Sequence, residues 1–285
     1  MPATRMVAAT ATDLACRAVG RRAVIRAARY VLYRARLDYP NDPAVNGERA
    51  LQRWALQLSP RGEPAHVADV GANVGSWSSS MLVAATAAGR TGDLRLHAFE
   101  PDSHAFSQLE QALASSPASL NSVALSDQQG TSAFHVVAPA AGSNSLHAAP
   151  GVTLTQEIIR TDTLDSYAQR RGVGRFALVK IDTEGHDLTV LRGARALLAA
   201  HRIDVVQFEY NHRWVFARSF LRDAFEYLAG LGYQTGKLTT RGVEFYPGWD
   251  ADLETFVEGN YVGCPPAVAK CQPTVAWWKT VTAQQ

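Results

Sequence analysis

Apolar and polar positions follow two rhythms along the chain, and the switch between them repeats. Between residue 61 and about residue 260, short apolar runs of strand length cover 66–70, 94–99, 120–125, 176–181 and 203–208. Runs with apolar residues at helical spacing lie between them, over 76–88, 103–115 and 187–200, and a further helix over 217–231 leads to a strand around 233–238. Strands alternating with helices need crossover connections, and right-handed crossovers cover both faces of a parallel sheet. The pattern therefore predicts an α/β domain built on a doubly wound, mostly parallel sheet. Ligands of such sheets bind at the carboxyl ends of the strands, which puts the chemistry just after Val70, Phe99, Leu125, Ile181 and Phe208.

The flanks read differently. Residues 1–60 form an N-terminal helical extension, 61–260 the α/β domain, and 261–285 a tail with Pro265, Pro266, Pro273 and the pair Trp277-Trp278. Within the extension, residues 14–37 carry seven arginines and no acid, with Val24, Ile25, Ala28, Val31 and Leu32 near helical period. Such a helix either packs its apolar stripe on the domain or lies on an anionic membrane surface as a peripheral contact. The 130–163 connection is too long for a simple strand-to-helix link, so it is expected to hold a strand over 133–137 and a loop lying over the ligand.

Composition narrows the partners. The chain has 285 residues, 47% hydrophobic and 19% charged, an ordinary globular balance. With 28 basic and 26 acidic residues the net charge is +2, which gives no electrostatic footprint for nucleic acid. Cys16, Cys264 and Cys271 are too sparse for a disulfide framework or a zinc site, and reduced thiols fit a cytoplasmic location. No apolar run is long enough to span a bilayer. Assembly into a homo-oligomer stays open.

After the first strand the chain reads Asp69-Val70-Gly71-Ala72-Asn73-Val74-Gly75-Ser76. Gly71 and Gly75 permit a tight strand-to-helix turn with close backbone approach, and Asn73 tolerates the left-handed region. A nicotinamide cofactor would call for a different glycine spacing, and Asp69 would repel its pyrophosphate. That carboxylate suits a ligand bearing an ammonium group, such as the methionine half of S-adenosylmethionine. The second strand ends Phe99-Glu100-Pro101, where Glu100 can accept hydrogen bonds from ribose hydroxyls. The third ends Leu125-Ser126-Asp127, where Ser126 and Asp127 can meet an adenine amino group.

Taken with Ser143-Asn144-Ser145-Leu146, Thr163-Leu164-Asp165, Lys180-Ile181-Asp182-Thr183-Glu184-Gly185-His186, Val190-Leu191 and Gly193, these strings resemble the FkbM family of S-adenosylmethionine-dependent methyltransferases over roughly residues 66–210. The resemblance implies a Rossmann-like sheet of the class I methyltransferase type and S-adenosylmethionine as methyl donor. It implies O-methylation of a hydroxyl on a sugar, glycolipid or polyketide-type natural product, and cofactor contacts near Asp69, Gly71, Glu100 and Asp127. It does not extend to the N-terminal sixty residues or the tryptophan-bearing tail.

Methyl transfer to a hydroxyl needs alignment and a proton acceptor, or a divalent cation that acidifies the hydroxyl. Asp182, Glu184 and His186 crowd the fourth strand's exit, and Glu209 and His212 follow the next strand. His186 is the natural general base because its ordinary pKa lies near neutrality. Alternatively Asp182, Glu184 and Glu209 hold a hard cation such as magnesium. Lys180 stands inside an apolar strand, where an unpaired ammonium is costly, so it is expected to pair with Asp69 or Glu209. N-methylation, RNA methylation and a non-catalytic cofactor-binding module are the rival readings. No Asn-Pro-Pro-Tyr-type amide clamp and no dense basic patch in the domain favours the first two.

Overall fold

The computed structural model describes residues 3–38, 42–138, 140–142, 144–147 and 155–279. Contacts divide the chain into two units, residues 1–40 and 41–285. The first holds α1 (Ala3–Val19) and α2 (Arg21–Ala35). They are separated at Gly20, whose φ of 84° ends the run that the sequence pattern reads as continuous.

The second unit runs through α3 (Glu48–Ala55), β1 (Ala65–Val70), α4 (Ser76–Ala87), β2 (Leu94–Phe99), α5 (Ser103–Ala112), β3 (Ser119–Asn121), β4 (Ala124–Leu125), β5 (Gly130–Val136) and β6 (Thr155–Asp162). It continues with α6 (Leu164–Arg171), β7 (Leu178–Ile181), α7 (Asp187–Gly193), α8 (Arg195–Ala199), β8 (Val206–Tyr210), α9 (Leu221–Gly230), β9 (Gln234–Thr239), β10 (Gly242–Phe245), β11 (Gly259–Cys264) and α10 (Pro266–Ala269). The main sheet has eight strands in the order β10-β9-β11-β8-β7-β1-β2-β3. From β3 to β8 every pairing is parallel, while β11 runs antiparallel between β8 and β9, and β10 is antiparallel to β9. A second sheet, β4-β6-β5, stands apart from it.

The period-two alternation of β1 explains why helices cover both faces. Ala65 and Val67 enter one core with Leu51, Met81 and Leu96; Ala68 and Val70 enter the other with Leu164, Val190 and Phe208. Leu51, Ala55 and Leu56 are buried there, so α3, assigned by sequence to the helical extension, belongs with the sheet. β11 spans residue 261, where the sequence division begins the tail.

Two predicted elements break in ways that matter for the site. The strand expected over 120–125 stops at Asn121, whose Nδ2 donates to the Ala98 and Ser119 carbonyls while its own carbonyl accepts from Val123 N at 3.0 Å. Ala124 and Leu125 then pair with β6 instead. The exit of the third strand is therefore Ser122-Val123, and Ser126-Asp127 follows β4. The helix expected over 187–200 divides at Ala194 because the Asp165 carboxylate accepts from Ala196 N (2.7 Å) and Leu197 N (3.0 Å), starting α8 as a separate turn.

Candidate active site

Close approach of two loops builds the floor of the site. Gly71 leaves β1 with φ 77°, and a Cβ there would lie 1.9 Å from the carbonyl oxygen of Asp182 after β7. Only glycine lets these neighbouring exits touch. Asn73 follows with φ 48°, and its backbone N–H donates to Glu100 Oε2 at 2.8 Å. Gly75 turns the chain into α4 where a Cβ would press on Leu109.

Glu100 ties this loop to the next. Its second oxygen accepts from Asp102 N at 2.8 Å, and Asp102 in turn caps α5 by accepting from His104 N and Ala105 N. Burial raises the Glu100 carboxyl to a pKa of about 7, against the pull of the two backbone donors.

A cavity lies above these loops at the carboxyl ends of the strands. Gly71, Asn73, Phe99, Glu100, Pro101 and Val123 line one side, and Asp182, Thr183, Glu184 and His186 the other. Ala141, Gly142, Asn144 and Leu146 of the 130–163 connection line it as well. Asn144 holds that segment by donating to Asp102 Oδ2 (2.6 Å) and the Ala138 carbonyl (2.8 Å) while accepting from Val137 N (2.8 Å). Ser145 Oγ donates to the Glu184 carbonyl at 2.9 Å. Residues 143 and 148–154, part of the expected loop, fall outside the described residues.

Three expected cofactor contacts are placed differently. Asp69 is fully buried beneath the loop and is not among the cavity's lining residues; Ser78 Oγ donates to its Oδ2 at 2.7 Å, and Lys180 Nζ forms an ion pair with its Oδ1 at 3.3 Å. Ser126 turns its hydroxyl to His186 Nε2 at 3.0 Å, and Asp127 is solvent-exposed away from the lining. Both follow from the early end of β3. Two buried polar atoms within the lining, Asn73 Oδ1 and Thr183 Oγ1, have no hydrogen-bond partner among the described residues. Asn73 Oδ1 can accept and Thr183 Oγ1 can donate or accept, so both leave hydrogen-bonding capacity unused beside the cavity.

β7 and β8 are neighbours, and their exits bring Asp182, Glu184 and Glu209 together with oxygens within 4.8 Å of one another. Lys180 Nζ sits 3.3 Å from both Asp69 and Asp182, the first anticipated from sequence and the second not. Burial disfavours the ammonium, but Asp182 and Asp69 outweigh it and hold the lysine above its ordinary pKa. Glu184 adopts φ 56° and pairs with Arg213 Nε at 2.7 Å. Burial and the charge of Asp182 nevertheless push its carboxyl up to about 8. Glu209 accepts from Asn211 Nδ2 at 2.7 Å, and burial with the surrounding acids raises it well above the ordinary range.

His186 lines the cavity, but both ring nitrogens are engaged, Nε2 by Ser126 and Nδ1 by His147 at 3.2 Å. Burial, helped by His147, pushes it down to about 3, which removes the basicity near neutrality expected of it. His212 is exposed and does not line the cavity. Sequence reasoning passed over His147 and Arg213, whose roles depend on side chains meeting across the fold. It also passed over Asp187, fully buried and accepting from Gly185 N and Thr183 N, although its place at the start of α7 was the signal for a cap.

A parallel sheet flanked by helices, with antiparallel β11 set beside β8 and a cavity across the exits of β1, β2 and β7, is a Rossmann-like fold of the class I methyltransferase type. The methyltransferase FkbM domain matches residues 69–235, and the chain belongs to that family. It is thus an S-adenosylmethionine-dependent methyltransferase. No curated protein matches the chain significantly. Among solved structures it is similar to the precorrin-6y C5,15-methyltransferase of Geobacter metallireducens, at 13% identity and TM-score 0.38 over 76% of this chain and 86% of that one. It is also similar to a TehB-like SAM-dependent methyltransferase of Corynebacterium glutamicum, at 16% identity and TM-score 0.36 over 84% and 94%.

Proposed function

We propose that the chain transfers a methyl group to a hydroxyl oxygen of a small acceptor, a sugar, glycolipid or polyketide-type molecule. The observation that carries this reading is the pair of carboxylates, Asp182 and Glu184, on the reacting side of the cavity. S-adenosylmethionine, when bound, supplies an activated methyl group. Glu100 would hold its ribose, and Asn73 Oδ1 with the backbone at Gly71 its methionine end, the part first assigned to Asp69.

A hydroxyl must lose its proton as it attacks, and a carboxyl near pKa 8 is well matched to accept it. Glu184 is our general base. Asp182, held by Lys180, orients the acceptor hydroxyl. His186 and Ser126 shape the wall and fix the loop after β7. Glu209, fixed by Asn211, completes the carboxylate cluster beside them.

A second reading is favoured by the spacing of Asp182, Glu184 and Glu209: three hard oxygen donors within 4.8 Å suit a divalent cation such as magnesium. Labelled methyl donor incubated with glycolipid, oligosaccharide and polyketide extracts tests the function, and chelator separates base from cation. Label on nitrogen or carbon, or no acceptor in any extract, overturns the proposal.

The N-terminal helices bear on the acceptor. α2 carries five arginines, no acid and no buried residue, which supports contact with an anionic membrane and a lipid-linked hydroxyl. No helix among the described residues is long and apolar enough to cross a membrane. Cys16, Cys264 and Cys271 are unpaired thiols, which supports a cytoplasmic setting.

A further inference from the structure

At the other edge of the main sheet, where the parallel strands begin, a second pocket is lined by His66 of β1, Arg95 and His97 of β2, Ser119 of β3, and Arg170 and Arg171 of α6. Four strand steps separate His66 from Val70 at the cofactor cavity, roughly 13 Å.

The charge of this pocket is one-sided. Arg170 is answered by Asp162, whereas Arg95 and Arg171 have no ion-pair partner among the described residues. Arg95 Nη1 is steadied by the Gly92 (2.8 Å) and Leu94 (2.9 Å) carbonyls. Arg171 lies over the Tyr167 ring, 5.8 Å from its centroid, with Nη2 3.4 Å from Ser119 Oγ. Each guanidinium has five N–H donors, so both keep donors to offer.

Beside them runs a hydrogen-bond chain. His66 and His97 stack with centroids 5.3 Å apart, and His66 Nδ1 lies 3.0 Å from His97 Nε2. His97 Nδ1 lies 2.9 Å from the Tyr167 hydroxyl, which accepts from Asn121 Nδ2 at 3.5 Å. In the tautomer that an anion at His66 would select, Tyr167 gives its hydrogen to His97 Nδ1, and His97 gives the hydrogen on Nε2 to His66 Nδ1. The remaining hydrogen of His66 is then on Nε2, which has no acceptor among the described residues. Burial together with Arg95 lowers His66, and burial with His66 and Arg171 pushes His97 down to about 4, so the chain is neutral near pH 7.

We propose that this pocket binds an oxyanion of the phosphate class, held by Arg95, Arg171 and the Nε2–H of His66. Three separate donors match the three terminal oxygens of a phosphate monoester, where a carboxylate would satisfy two. The distance from the methyl-transfer cavity makes the anion an effector or a tether and not the methyl acceptor.

Calorimetric titration of the full chain with inorganic phosphate and with glycerol 3-phosphate, at ionic strength held constant with KCl, tests the site. Saturable one-to-one binding is expected, weakened at least about tenfold in Arg95→Gln/Arg171→Gln. Both arginines are exposed, so an unchanged melting temperature confirms that the variant folds. Vesicles of phosphatidate in phosphatidylcholine present the same group on a lipid. Vesicle binding that falls with the double substitution assigns a headgroup, and vesicle binding that persists while soluble binding is lost assigns a soluble ester. No saturable heat with either soluble probe, or equal affinity in the double variant, overturns the proposal.

Discussion

Burial lifts the carboxyls at the exits of β7 and β8, and their mutual repulsion adds to the effect. Glu184 titrates at about 8 and Asp187 at about 7. A general base must be unprotonated, so kcat/KM is expected to rise with pH through about 8 and then level. Glu184→Gln should lower kcat by roughly 10²- to 10⁴-fold and abolish that limb; an unchanged limb places the base elsewhere. The same group carries a stability signature. Its folded pKa is raised, so its contribution is full below the ordinary 4.5 and lost as pH rises through about 8. Glu184→Gln should therefore raise the melting temperature at pH 9 and change it little at pH 4.

Lys180 is the residue whose partner the sequence came nearest to specifying. A charge in an apolar strand needs a neighbour, and the register Asp69↔Lys180 supplies it. Lys180→Met leaves Asp69 buried without its cation and should cost about 3–5 kcal/mol in denaturant unfolding, partly restored by adding Asp69→Asn. The fate of His186 was not legible in the same way. Its partners Ser126 and His147 are 60 and 39 residues distant, and no local pattern announces that they occupy both ring nitrogens.

At the scale of elements, hydrophobic rhythm located the five parallel strands and β9, because each is an apolar run bounded by polar turns. It missed β10 and β11, whose Gly242, Gly259 and Gly263 dilute the strand signal. The break after Asn121 rests on side-chain capping of the β2 edge, and it puts Ser126 and Asp127 after β4 instead of at the end of a main-sheet strand. The segment over the cavity was foreseen from its length alone. Its attachment runs through Asn144, which bonds Asp102, Ala138 and Val137 at once. Asn144→Ala should raise KM for S-adenosylmethionine several-fold while unfolding free energy falls by only about 1 kcal/mol. Unaltered steady-state kinetics would show that the segment does not retain the cofactor.

For the whole molecule, α2 offers a quantitative handle on where the enzyme works. Ile25, Tyr30, Val31 and Leu32 are exposed on a helix that also carries Arg21, Arg22, Arg26, Arg29 and Arg34. Each arginine near an anionic bilayer contributes about 1 kcal/mol, and the contribution fades beyond a Debye length. The full chain should therefore sediment with phosphatidylglycerol vesicles at low salt, stay in solution with phosphatidylcholine vesicles, and release as salt increases. Arg22→Gln/Arg26→Gln/Arg29→Gln removes about 3 kcal/mol of attraction, roughly a hundredfold in partitioning. The triple variant leaves every residue that lines the cavity unchanged, so turnover of a water-soluble acceptor should be the same in it. Loss of activity confined to a bilayer-embedded acceptor would mark α2 as the element that brings the enzyme to its substrate. Equal binding to neutral and anionic vesicles would instead leave the apolar face, and not the arginines, responsible for any attachment.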